Sequence, residues 1–194
     1  REEWEARFER RPVALLAGQV RADKRPDVFV EACVKAGVTA AVVGPANDGE
    51  DLIRAACADG TVVRVGGYLP LSSFAAAVAA CDVVVATHGV GSVSVPLAFA
   101  RELGVRSVAP AVGGLAESVT VAASGMSAED FAAAIRDALA LPAPAPIAPS
   151  RLRRKASSCC GSRFQSAHTE PSGSGSTAKF GNSTPFSSRK TPPY

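Results

Sequence analysis

The stretch CDVVVATHGVGSVSVPLAFARELGVRSVAPAVGGLAE, residues Cys81–Glu117, carries in turn a strand, a Gly/Ser turn, a helix, a second strand and a Gly-Gly turn. Val83–Ala86 is a short β-branched run, the pattern of a strand buried on both faces. Thr87–Ser94 gathers Gly89, Gly91 and Ser92 into one loop. A helix is predicted over Val95–Leu103, stopped by Gly104. Such a loop opens onto a helix amino terminus, where free backbone N–H groups and the helix dipole favour an anion such as phosphate. In open α/β sheets ligands sit at the carboxyl ends of the strands, which is where this loop would lie.

The same alternation extends upstream. Arg1–Arg10 is a charged helical lead-in in which Trp4 and Phe8, four apart, share a face. Pro12–Ala17 is the first strand and Gly18–Arg25 the loop after it. Pro26 opens a helix that shows Phe29, Cys33 and Ala36 on one side and ends at Gly37. Val38–Val43 is the second strand, Gly44–Gly49 a turn, Glu50–Ala58 a helix and Thr61–Val65 the third strand. Gly66–Leu69 is a loop, and Pro70 opens a helix through Ala80. Downstream, Val105–Ala109 is a strand and Val119–Ala123 a last edge strand. Ser127 and Asp130 mark the start of a helix over Ala128–Leu141, with Phe131, Ile135, Ala138 and Leu139 on one face. Strand and helix alternating at intervals of about 25 residues imply a doubly wound, Rossmann-like parallel sheet with helices on both faces.

Composition sets the limits. The 194 residues suffice for one domain with a proper core, built mostly of Ala and Val since aromatic residues are 6% of the chain. No apolar run is long enough for a membrane span, and Arg1–Arg11 has no apolar core behind a basic start, so no signal peptide is read and a cytoplasmic location is expected. The absence of an initial Met suggests a fragment or a processed form. The net charge of +3 divides unevenly: from Arg151 onward there are 8 basic residues and 1 acidic residue, leaving 13 basic and 17 acidic in residues 1–150. That mildly acidic body gives no reason to expect nucleic-acid binding. Cys33, Cys57 and Cys81 fall near helix ends and read as small buried apolar residues in a reducing compartment. Cys159–Cys160 has no second pair or His partner of the kind a metal site wants. Residues 142–194 open with the Pro/Ala linker PAPAPIAPS. They continue as a basic Ser/Gly/Pro-rich segment whose composition predicts a disordered tail, either regulatory or outside the native reading frame.

In order, these segments resemble the carboxy-terminal, donor-binding half of a GT-B glycosyltransferase, most nearly the retaining nucleotide-sugar-dependent enzymes of family four. ALLAGQVRADKR matches the family's strand and Gly-Arg-Leu…Lys-Gly loop, with Gly18 and Lys24 in register. PDVFVEACVKAG, AVVGPANDGEDL and VVRVGGYLPLSSFAAAVAACDVVV follow in sequence. GVRSVAPAVGGLAE gives Gly104, Val108, Ala109, Gly113, Gly114 and Glu117 of the last block. The match covers about Pro12–Leu139. It implies a lead-in over 1–11, a donor-binding domain over 12–141 and a tail over 142–194. The chain departs from the family at Gln19, where relatives have Arg, and at Gly91 and Phe99, where they have paired glutamates that serve the donor sugar and the ribose.

The resemblance implies an enzyme that transfers a sugar from a nucleotide-diphosphate donor. The acceptor, a glycan, lipid or small molecule, would be held by an amino-terminal half this chain lacks. Neither a cofactor nor an obligatory metal is expected, and the resemblance leaves room for peripheral membrane contact of the full-length protein. Lys24 alone would read as a solvated loop charge; in the family's register it binds the donor diphosphate, joined by Gly89, Gly91, Ser92 and Ser94 as a phosphate cradle. The cradle residues also fit a Gly-rich turn that holds no ligand. Further candidate donor contacts are Gln19, Arg21, Gly67, Tyr68, His88 and Glu117. Tyr68 lies where relatives hold the base, but also suits a partly buried cap on the sheet edge. Glu117 also suits a helix start. The resemblance assigns no residue of this chain to the catalytic step. The alternatives are a non-catalytic nucleotide- or partner-binding module and a sugar-nucleotide epimerase of GT-B architecture.

Overall fold

The computed structural model describes residues 1–8, 12–58, 62–89 and 94–147. Its strands are β1 (Val13–Ala17), β2 (Thr39–Gly44), β3 (Val62–Gly66), β4 (Val83–Val85), β5 (Arg106–Pro110) and β6 (Val121–Ala123). Its helices are α1 (Glu2–Arg7), α2 (Pro26–Ala36), α3 (Asp51–Ala58), α4 (Leu71–Ala80), α5 (Val95–Leu103), α6 (Gly113–Ala116) and α7 (Ala128–Ala140). The six strands are all parallel and lie in the order β3-β2-β1-β4-β5-β6. The doubly wound α/β sheet expected from the alternation is the sheet observed.

The strands alternate cleanly between two cores. Ala14 and Leu16 of β1 face one side with Ala40, Val42, Val83, Val85 and Val108, beneath Phe29 of α2, Ile53 of α3 and Phe131 and Ile135 of α7. Val13, Leu15 and Ala17 face the other with Ala41, Val43, Val84 and Ala109, beneath Ala77 and Val78 of α4, Leu97 of α5 and Leu115 of α6. Two-sided burial explains why β1, β2 and β4 are near-continuous apolar runs rather than alternating ones. Trp4 and Phe8 are buried in this second core, their rings 5.7 Å apart, so the charged opening segment contributes the core's largest side chain. Cys33 and Cys81 are buried thiols, as read; Cys57 is only half-buried, because α3 lies at the outer side of the sheet.

One local device departs from the sequence reading and another follows it. The Pro/Ala segment after Leu141 does not leave the domain at once. It lies along the end of α5, where the Ile147 amide donates to the Glu102 carbonyl at 3.1 Å and Arg106 Nε donates to the Leu141 carbonyl at 2.8 Å. Gly104, at φ 70°, makes room for it: a Cβ there would stand 2.5 Å from the Pro144 carbonyl oxygen. The expected tail beyond residue 147 lies outside the described residues. The start of α7 is a complete capping box, Ser127 Oγ accepting from the Asp130 amide and the Asp130 carboxylate from the Ser127 amide, as the Ser-x-x-Asp spacing predicts.

Candidate functional site

β1 and β4 are neighbours, but the chain leaves them in opposite directions. After β1 it turns to α2 on one face; after β4 it turns towards α5 on the other. The loops part at this point, and the crevice between them is where open α/β sheets take ligands. Residues 18–25 border it from one side and residues 86–89 from the other.

The 18–25 loop is held by its neighbours. Val20 bridges Ala46 in the loop after β2, its amide donating to the Pro45 carbonyl at 2.9 Å. The Asp48 carboxylate accepts from the Ala22 amide at 3.0 Å. Gly44, at φ 135°, lets the two loops close up, since a Cβ there would overlap the Gly18 carbonyl. A single 3-10 turn, Ala22–Lys24, then delivers Lys24, and Arg25 follows in a left-handed conformation with φ 47°. The Lys24 ammonium stands over the glycine of β1's end: a Cβ on Gly18 would lie 3.4 Å from Nζ. Half-burial lowers the Lys24 pKa, Asp23 opposes that shift and Arg21 adds to it. A cation that is partly stripped of water and has no carboxylate in ion-pair contact among the described residues gains most from an incoming anion.

On the other side Thr87 is fully buried, its hydroxyl donating to the Lys24 carbonyl, with the Arg25 carbonyl 3.4 Å away. His88 is half-buried, and its Nδ1 is buried without a hydrogen-bond partner among the described residues. Burial, then the nearby Lys24 charge, lowers the His88 pKa, with Asp23 opposing. Both effects favour the neutral imidazole. Gly89 is exposed and sits against the Met126 thioether, where a Cβ would approach Cε to 3.3 Å. Ser94 caps α5 with extended backbone and makes no side-chain cap bond, which leaves the amino end of α5 unsatisfied by its own cap. Gly91 and Ser92 lie outside the described residues.

The structure thus brings Lys24, His88 and Gly89 to one crevice. Gln19 and Tyr68 meet beside it, Gln19 Nε2 donating to the Tyr68 hydroxyl at 3.4 Å. Tyr68 is 79% exposed, so it is not the partly buried edge cap that its sequence also allowed; Gly67 before it, at φ 84°, swings the ring outward. Arg21 is occupied with Asp23, Nε to Oδ1 at 2.9 Å. Glu117 is not brought to the crevice. It ends α6 and lines an open cavity of about 270 Å³ with Arg101, Ser107, Thr120 and Pro144, near the amino end of β5. Phe99, at the second family glutamate position, stacks edge-on against Phe74 at 5.4 Å in the second core, so that position offers the ligand no carboxylate. Sequence reasoning passed over Thr87, Arg25 and Met126. The one available signal was a hydroxyl at the end of an otherwise apolar strand. Among the described residues no group of three His, Cys, Asp or Glu side chains is placed to hold a metal, and no helix is long and apolar enough to cross a membrane.

Neither a protein-family profile nor a curated protein sequence matches this chain. Solved structures do match. Sucrose-phosphate synthase from Thermosynechococcus elongatus is 22% identical with a TM-score of 0.61, over 72% of this chain and 40% of that one. An alpha,alpha-trehalose-phosphate synthase (UDP-forming) from Burkholderia xenovorans, in complex with glucose-6-phosphate, is 13% identical with a TM-score of 0.59, over 73% and 39%. Anabaena HepE, in complex with UDP and glucose, is 22% identical with a TM-score of 0.52, over 66% and 39%. The chain spans about 40% of the length of these three proteins. The fold expected from the resemblance is therefore the fold present: one Rossmann-like half of the GT-B architecture.

Proposed function

We propose that this domain is the donor-binding half of a glycosyltransferase that uses a nucleotide-diphosphate sugar. The observation that carries the reading is the Lys24 ammonium, half-desolvated over Gly18 at the crevice between β1 and β4, with His88 beside it. In the transfer the bond from the anomeric carbon to the diphosphate oxygen breaks, and negative charge grows on the departing diphosphate. A fixed ammonium and the amide donors of a helix amino end offset that charge without reorganising. The His88 imidazole, biased towards its neutral form, offers a hydrogen bond to the same group. Tyr68 and Gln19 border the place where a base and ribose would extend. The acceptor, whether glycan, lipid or small molecule, is assigned to a second half of the architecture and the reaction to the cytoplasm.

The direct test is calorimetric titration of the chain with UDP, GDP, ADP, NAD and the UDP- and GDP-sugars. Micromolar binding of one nucleoside diphosphate, matched by its sugar, is the expected result and names the base. Binding of none of them by a folded chain would remove the donor-site reading while leaving the fold untouched.

A further inference from the structure

The described residues bury two polar side chains almost completely, Thr87 and Ser107. Ser107 is accounted for locally by its reciprocal bonds with Thr120. Thr87 is different. The residues before it, Val83–Ala86, are apolar core, and valine would fill the same space. A buried hydroxyl is unfavourable unless bonded, and this one bonds to the turn that carries Lys24, more than sixty residues away in sequence. That turn needs holding, because Arg25 sits in the left-handed region that a side chain disfavours. It is pinned from a second side, where Arg25 Nη1 donates to the Met126 carbonyl at 3.0 Å. The turn's own bonds, the Lys24 amide to the Arg21 carbonyl at 3.1 Å and the Arg25 amide to the Ala22 carbonyl at 2.9 Å, fix its curl but not its place on the sheet.

We propose that Thr87 is a positioning residue: its hydroxyl ties the Lys24–Arg25 turn to the end of β4 and so sets the Lys24 ammonium over Gly18, where it meets a diphosphate. The last clause rests on the function proposed above; the hold on Lys24 does not. Two readouts separate them. One is UDP affinity by calorimetry. The other is the titration of His88 by NMR, which senses the Lys24 charge beside it, with Asp23 the opposing neighbour. His168 is the other imidazole of the chain, and His168→Gln assigns the signals. In Thr87→Val the His88 pKa moves up towards its ordinary value and UDP binds about tenfold more weakly, as loss of one buried hydrogen bond allows. Thr87→Ser, which keeps the hydroxyl, recovers both. In a Lys24→Met background Thr87→Val moves neither further. Thr87→Ala serves where the valine variant does not fold. An unmoved His88 titration with unchanged UDP affinity overturns the proposal and leaves the donor reading standing. If the chain binds no nucleoside diphosphate, a raised His88 pKa in Thr87→Val still sustains the hold on Lys24 while the donor reading falls; an unmoved one removes both.

Discussion

At the scale of single residues, Lys24 and His88 are defined by what the crevice denies them. Burial outweighs the help of Asp23 at Lys24, so its ammonium is held at some cost until an anion arrives. Lys24→Met keeps the length and removes the charge. It is expected to weaken UDP binding by about 30-fold, roughly 2 kcal/mol, the usual worth of a hydrogen bond to a charged group. The pH dependence has a definite sign. UDP binds the protonated form, and the pKa is lowered, so affinity in the wild type declines with rising pH below the ordinary lysine value of about 10.4. The Met variant lacks that decline, and a shared decline would assign it to another group. His88 bears on stability instead. Its folded pKa is depressed, so between the ordinary histidine value of about 6.5 and the lower folded value the unfolded chain binds a proton that the folded chain does not. Stability is therefore full above that window and falls as pH drops through it. His88→Asn should flatten the midpoint of thermal unfolding measured between pH 7.5 and 5.5; an equal slope in both proteins would place the effect elsewhere.

At the scale of elements, the crevice exists because two loops can touch. β2 ends at Gly44, whose missing Cβ lets the Gly18 carbonyl lie against it, and Gly49 leaves room for the Arg21 backbone, which a Cβ would meet at 2.7 Å. Gly44→Ala forces the loops apart and strains φ, so it is expected to cost about 2–3 kcal/mol in urea unfolding and to weaken UDP binding in parallel. A loss of stability with unchanged affinity would show that the loop contact does not shape the crevice. The elements themselves were legible from sequence because burial on both faces writes the central strands β1, β2 and β4 as apolar runs, and Gly37 and Gly104 punctuate the helix ends. Gly18 and Lys24 stood out only through the resemblance of their loop to the family's; taken alone, Lys24 reads as a solvated loop charge. Thr87 was not, because a hydroxyl at the end of VVVAT looks like the first residue of a turn, and its partners are fixed only when β1 and β4 pair. Glu117 was misplaced for the opposite reason. Its spacing from Gly113 fits the family block, but α6 is a single turn that carries the chain back towards the amino end of β5. The docked PAPAPI segment has no periodicity to announce it; its seat depends on a hydrogen atom at Gly104.

At the scale of the whole molecule, the small Ala- and Val-rich core leaves the two faces of the sheet unequally furnished. One face has Phe29 on α2 and Phe131 on α7, the latter opened by a complete capping box. The other relies on α4 and on α5, whose buried side chains are mostly small, and is completed by Trp4 and Phe8 from the first eight residues. Helix α1 is only six residues long, too short to persist on its own. Its order comes from Trp4, 5% exposed, with the Arg7 guanidinium 5.3 Å over the ring. It follows that α1 unfolds with the domain rather than before it. Trp4 is the sole tryptophan, so its fluorescence reports on α1 while far-UV circular dichroism reports on the body. The two signals should trace one urea transition, as a single cooperative unit requires. Trp4→Ala should lower the stability read by circular dichroism by about 3 kcal/mol, the lower end for removing a buried large aromatic side chain. A fluorescence change that precedes the dichroism change, together with a near-neutral Trp4→Ala, would show that the second face is stable without α1 and that the opening segment merely leans on it.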